Sequence, residues 1–77
     1  MRTITIKLSL TEDIKDFVRV TSKYNYDIDL RSGRYIIDAK SILGIFSLDL
    51  SKPIEVDIHD NNCDDLVNDL QQFVIEE

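Results

Sequence analysis

The sequence predicts an α+β fold of two layers: an antiparallel sheet carrying helices on one face, in the order β-α-β-β-α-β-α. Three observations predict it. Residues 3–10 and 54–59 alternate apolar and polar positions, the pattern of strands with one buried face. Ile14, Phe17, Val18 and Thr21, and later Cys63, Leu66, Val67, Leu70, Phe73 and Val74, recur at helical spacing. A glycine joins two short strand-like runs in mid-chain, as in a hairpin. Elements that are apolar on one side only bury those sides by stacking in two layers.

The elements follow in order. Residues 3–10 form the first strand. Thr11-Glu12-Asp13 reads as a helix start, with a hydroxyl to cap free N–H groups and two acids at the positive end of the dipole. In that helix Phe17 and Val18 are the expected core residues. Strands at 26–30 and 35–38 follow, joined through Arg31-Ser32-Gly33-Arg34, where Gly33 is free to take positive φ. Residues 39–48 read as a short helix capped by Ser41, and Lys52-Pro53 ends that stretch. Residues 54–59 are the last strand expected. Asn61 or Asn62 is the expected cap of the final helix.

The chain has 77 residues, the length of a single domain spanning residues 1–77 with a thin core. Its 43% hydrophobic and 31% charged content suits a globular protein. No apolar run is long enough to span a membrane, and the alternating N-terminal residues are unlike a signal peptide. Cys63 is the lone cysteine, which excludes an internal disulfide and suits a cytoplasmic protein. The net charge of −6 is unevenly spread. All nine Lys and Arg lie at or before Lys52, while residues 55–77 carry eight acids. A pI near 4.5 argues against nucleic-acid binding, which needs a basic face. The mildly basic first part suits an acidic protein partner.

Residues 41–48 stand out. Ile42, Leu43, Ile45 and Phe46 cover more than one helical face, more than a short helix buries on a thin sheet, so part of this apolar surface is expected to face water. Gly44 inside it weakens the helix but permits close approach of another backbone. Asp38-Ala39-Lys40-Ser41-Ile42-Leu43-Gly44-Ile45-Phe46-Ser47-Leu48 resembles the regulatory-serine segment of HPr, the small phosphocarrier of the bacterial sugar phosphotransferase system. Phe17-Val18-Arg19-Val20-Thr21-Ser22-Lys23-Tyr24 resembles the end of that family's first helix, and the element order is the same.

The resemblance implies an open-faced two-layer sandwich, no enzymatic activity and no cofactor. It implies protein partners: a serine kinase, a transcriptional regulator or phosphotransferase components. Ser41 matches the family's regulatory serine and is the phosphorylation candidate. Lys15, Arg19, Lys23 and Lys40 supply basic partner contacts, and Leu43, Ile45 and Phe46 supply apolar ones, with homodimerisation through the patch left open. The family passes phosphate through a histidine in a Gly-Leu-His-Ala-Arg-Pro-Ala-like motif, and here the sequence departs. Anchored on Phe17-Val18, Leu10 stands at the histidine, Glu12 at the arginine and Asp13 at the proline, after a shortened strand-to-helix link. Leucine offers no nucleophile, and Glu12 and Asp13 repel a phosphoryl group at a helix end that otherwise attracts anions.

Other chemistry-bearing residues read as structural. His59 ends a strand beside Asp57 and Asp60, which oppose a phosphoimidazole. Acids beside Cys63 raise rather than lower its pKa. Asp60, Asp64 and Asp65 lack the spacing, glycine and closing glutamate of a calcium loop, and no metal site is expected. The sequence reading is thus a regulatory module binding proteins through the Ser41 segment and the basic first helix. A phosphocarrier with an unrecognised acceptor, and a decayed paralogue kept only as a folded domain, are the alternatives.

Overall fold

The computed structural model describes residues 1–77. Its elements are β1 (Arg2–Ile6), α1 (Thr11–Thr21), β2 (Ile28–Ser32), β3 (Tyr35–Asp38), α2 (Ile42–Phe46), β4 (Ile54–Ile58), α3 (Asp64–Asp69) and β5 (Val74–Glu76). The sheet is antiparallel throughout, in the order β3-β2-β4-β1-β5. The α+β architecture expected from the alternation and the helical stripes is therefore present, with one strand more than expected.

Alternation sets the two faces of the sheet. Ile4 and Ile6, Ile28 and Leu30, and Ile54, Val56 and Ile58 are almost fully buried beneath the helices. From the helix side they meet Ile14 and Phe17 of α1, Ile45 of α2, and Leu66 and Val67 of α3 with Leu70 at its end, and Phe73 stands edge-on to Phe17 at 5.8 Å between ring centroids. The other sheet face is polar. There Arg31 Nε donates to Asp57 Oδ2 at 2.5 Å, and Thr3 Oγ1 donates to Asp57 Oδ1 at 2.7 Å. Asp57 is one of only two buried polar residues, and these partners hold its carboxyl below the usual carboxylate range, Arg31 foremost.

Five local expectations are corrected. Thr11 does not cap α1: Leu10 is the N-cap, and Asp13 reaches back in place of a capping hydroxyl. In α1 the buried positions are Ile14, Phe17, Val20 and Thr21, while Val18 is only half-buried. Thr21 enters the core because its hydroxyl donates to the Phe17 carbonyl at 3.0 Å, which satisfies its polar atom within the helix. Cys63, not Asn61 or Asn62, occupies the N-cap of α3. Residues 54–59 are not the last strand. The stripe that reads as one long helix stops at Leu70, and Val74–Glu76 turns back to pair with β1. Phe73, in the turn after α3, still reaches the core, its N–H donating to the Leu70 carbonyl at 2.9 Å and its carbonyl accepting the Lys7 N–H at 3.0 Å, and Val74 at the start of β5 packs half-buried beside it.

The hairpin stands as expected, though β2 starts two residues late. Gly33 takes φ of 60° and is the only residue with positive φ, at the first position of the two-residue Gly33-Arg34 loop. That geometry fits a type II′ turn, whose twist matches the flanking strands.

Candidate functional site

Ser41 is the N-cap of α2, and its Oγ accepts the Gly44 N–H at 3.1 Å. The approach is close because residue 44 has no side chain. A Cβ there would stand 3.1 Å from Ser41 Oγ and 3.2 Å from Ile37 Cδ1. Glycine thus lets α2 settle on β3, whose half-buried Ile37 lies beneath it. Ser47 Oγ closes the other end of α2, donating to the Gly44 carbonyl at 2.5 Å.

The apolar residues of α2 divide. Leu43 is 81% exposed and Phe46 46% exposed. Ile45 is completely buried, which corrects its reading as a partner contact. A helix of five residues has one face on the sheet, and Ile45 is the residue that fills it, in contact with the common core. Ile42 packs half-buried at the core's margin.

The basic residues divide as well. Lys40 is spoken for: its Nζ donates to the Tyr24 carbonyl at 2.7 Å, tying the start of α2 to the segment after α1. Arg19 pairs with Asp16 one turn back at 2.8 Å, both exposed. Lys15 and Lys23 extend into solvent without an ion-pair partner. Since α1 packs against α2, the structure sets Ser41, Leu43 and Phe46 on one helix and Lys15, Arg19 and Lys23 on or just after its neighbour.

The start of α1 has a distinct chemistry. Asp13 Oδ2 accepts the N–H groups of both Ser9 and Leu10, each at 2.9 Å. These bonds, the one from Leu10 foremost, hold the Asp13 carboxyl below the usual carboxylate range. The amides that precede the helix are occupied by a carboxylate from the chain itself, and Leu10 presents an apolar side chain, 66% exposed, at that point. An acid three residues after the N-cap was the sequence signal for this device, and the hydroxyl of Thr11 obscured it.

Two residues that sequence reasoning missed brace this side of the molecule. The rings of Tyr24 and Tyr26 stack at 5.8 Å between centroids, 10° from parallel. Tyr24 OH donates to the Asp69 carboxylate and Tyr26 OH to Asp65 Oδ1 at 2.9 Å, anchoring the α1–β2 link to α3. Both phenols are pushed up to about 12, chiefly by these hydrogen bonds to carboxylates. The Tyr-x-Tyr spacing was the only hint.

His59 Nε2 lies 2.8 Å from Asp29 Oδ2 on the neighbouring strand. The two border a cleft of about 370 Å³ lined also by Asp27, Asp38, Lys40 and Tyr26. Three carboxylates make this cleft hostile to a phosphoryl group. Cys63 is buried, and burial, followed by Asp60, Asp64 and Asp65 against an opposing Arg2, pushes its thiol up. It is not an activated nucleophile.

Residues 11–76 match the family model described as the PTS HPr component phosphorylation site. No curated protein sequence matches the chain. Among solved structures, HPr-C-His from Thermoanaerobacter tengcongensis is similar with a TM-score of 0.78 at 23% identity, covering 94% of this chain and 89% of the other. Phosphocarrier protein HPr from Bacillus anthracis gives 0.73 at 20% identity, covering 95% of each chain. A histidine-containing phosphocarrier protein of Mycoplasma gives 0.69 at 14% identity, with 92% and 86% covered. At these identities the likeness is one of fold.

Proposed function

This chain belongs to the HPr family, and on that premise we propose that it works as a regulatory protein-binding module of the sugar phosphotransferase system, a single HPr-like domain in the cytoplasm that does not carry phosphate at the start of α1. The phosphocarriers of this family are not themselves enzymes. The observation that carries the proposal is the Asp13 carboxylate on the Ser9 and Leu10 amides. Leu10 stands where the resemblance places the phosphate-accepting histidine, and it has no atom to bear a phosphoryl group. An anion entering there would meet the negative charge of Asp13 and of Glu12 beside it, on amides that already have an acceptor.

The Ser41 side remains suited to partner binding. Leu43 and Phe46 offer exposed apolar surface, and Lys15 and Arg19 on the neighbouring helix and Lys23 just after it offer exposed positive charge. Phosphorylation of Ser41 would add roughly −1.5 to −2 charges between these two groups of residues. The phosphoryl oxygens would take over the Gly44 N–H that Ser41 Oγ now accepts. A partner reading this surface is a protein with an apolar seat for Leu43 and Phe46 and acidic groups for the lysines.

The test has two arms. Incubation with phosphoenolpyruvate and enzyme I, followed by site mapping under conditions that preserve phosphohistidine, should place no phosphate on residues 10–13. Phosphate found there would overturn the proposal. Mass mapping of protein purified from its own host on abundant sugar should find phosphate on Ser41. Its absence would remove the kinase from the proposal and leave the docking surface alone.

A further inference from the structure

We infer that β3 is a self-pairing edge: two copies of this chain join antiparallel through their β3 strands about a two-fold axis at Ile36, continuing the sheet from one copy into the other. The sheet has two edges, β3 and β5, and they are built differently. At β5 the register shifts against β1, the strand has three residues, and it ends in Glu76 beside Glu77. Irregularity, shortness and charge are the usual protections of an edge. β3 is also short, at four residues, but it is regular, and its one charge, Asp38, stands at its end: Tyr35-Ile36-Ile37 holds no charge, proline or bulge, with Tyr35 69% and Ile36 66% exposed.

The backbone fixes which groups are free. Ala39 N–H donates to the Ile28 carbonyl across the β2–β3 pair, and antiparallel pairing alternates. Ile37 and Tyr35 therefore direct their backbone groups toward β2, and Ile36 directs its N–H and C=O away from the sheet, where no group of the chain meets them. In a two-fold antiparallel pair centred on Ile36, each Ile36 N–H donates to the other copy's Ile36 carbonyl. The same register sets Arg34 opposite Asp38 of the second copy, and Asp38 opposite its Arg34. Two ion pairs thus close the ends of the contact, with the two Ile36 side chains together at its centre.

A second copy is the occupant that this charge pattern selects. A strand with its base at one end and its acid at the other is complementary to itself when reversed, as a closed two-fold interface requires. The net charge of −6 does not stand in the way. The acids of residues 55–77 lie on β4, α3, β5 and the residues beside them, with β5 at the opposite edge of the sheet. Around β3 the charged residues are of mixed sign, Arg34, Asp38, Lys40, Asp49 and Lys52.

Sedimentation velocity over a concentration series tests the pairing. The wild type should form a dimer at high concentration, and Ile36→Lys should weaken it by about tenfold or more. Arg34→Glu and Asp38→Lys should each do the same. Mixing these two variants should restore a heterodimer. The acid introduced at position 34 of one copy then faces the base introduced at position 38 of the other, while the unaltered Asp38 and Arg34 still face each other. In the wild type, exchange of the Ile36 amide should slow as concentration rises while that of Gly33 does not. This readout needs no variant to fold. A wild type that stays monomeric, a dimer indifferent to Ile36→Lys, a mixture that fails to reassociate, or a dimer lost instead on Leu43→Ser would each overturn the inference.

Discussion

The Asp13 carboxylate closes on the Leu10 amide at 2.9 Å and takes the Ser9 amide with the same oxygen. The bond joins the incoming strand to the first turn of α1, and it depends on charge. A carboxyl depressed in the folded state contributes stability above its unfolded pKa, and that contribution is lost as pH falls through the folded value. Asp13→Ala should therefore lower the thermal midpoint at neutral pH. The difference from wild type should shrink once the pH drops below the ordinary aspartate value of 3.8 toward the depressed one. Equal destabilisation at all pH values would mean that the side chain acts by packing alone.

Asp57 makes the same prediction from the opposite face of the sheet. Asp57→Ala strands the Arg31 guanidinium and the Thr3 hydroxyl and should cost about 2 kcal/mol in chemical unfolding. Asp57→Asn keeps an acceptor for Thr3 and should cost less. In the wild type the carboxyl is held down, so this contribution too is present above pH 3.8 and disappears on acidification.

Alkaline pH acts through the stacked tyrosines. A phenol raised to about 12 favours the folded state fully below its ordinary value of 10, and loses that advantage as pH climbs toward 12. Phenolate absorbance should show Tyr24 and Tyr26 titrating late. Tyr24→Phe and Tyr26→Phe should each remove one late step. Late titration that survives in the double variant would contradict the two hydrogen bonds as its cause.

Gly44 and Ser41 should behave as a coupled pair. Gly44→Ala gains about 1 kcal/mol in helix propensity but presses its methyl onto Ser41 Oγ, endangering a cap worth about 1 kcal/mol. The single substitution should be close to neutral. Once Ser41→Ala has removed the oxygen, Gly44→Ala should cost less, or gain more, than it does beside serine, with the Ile37 Cδ1 contact at 3.2 Å unchanged in both backgrounds. Simple additivity in the double-mutant cycle would contradict the contact.

Neighbours on α2 should differ sharply. Leu43→Ser touches an exposed side chain and should change stability by no more than about 0.5 kcal/mol. Ile45→Ala empties a fully buried position and should cost about 3 kcal/mol. A partner whose binding falls on Leu43→Ser without loss of folding identifies the docking residue.

Period and punctuation made most of the fold legible in the sequence. Alternation found β1 and β4, Gly33 found the hairpin, and Ser41 found the start of α2. What escaped depended on distance rather than pattern. Phe73 and Val74 continue a helical spacing, so nothing local separates them from α3. Only the free edge of β1 explains why Val74–Glu76 extends into a strand. Ile45 was hidden because all four large residues of α2 are apolar, and the side facing the sheet follows from packing on β3. At the start of α1 the sequence supplied the acids but not their direction. Asp13 turns inward to the backbone and so acts as a structural acceptor as well as a source of charge.

The position of β1 between β4 and β5 bears on how the protein comes into being. β1 is made before both of its neighbours, which lie among residues 54–76, so it leaves the ribosome ahead of either partner. The β2–β3 hairpin can close locally, yet the sheet waits for residues 54–76. Such a chain assembles late and almost at once, at the pace set by long loop closures. Truncation within residues 70–77 should thus leave nascent chains open to proteolysis far out of proportion to the few side chains removed.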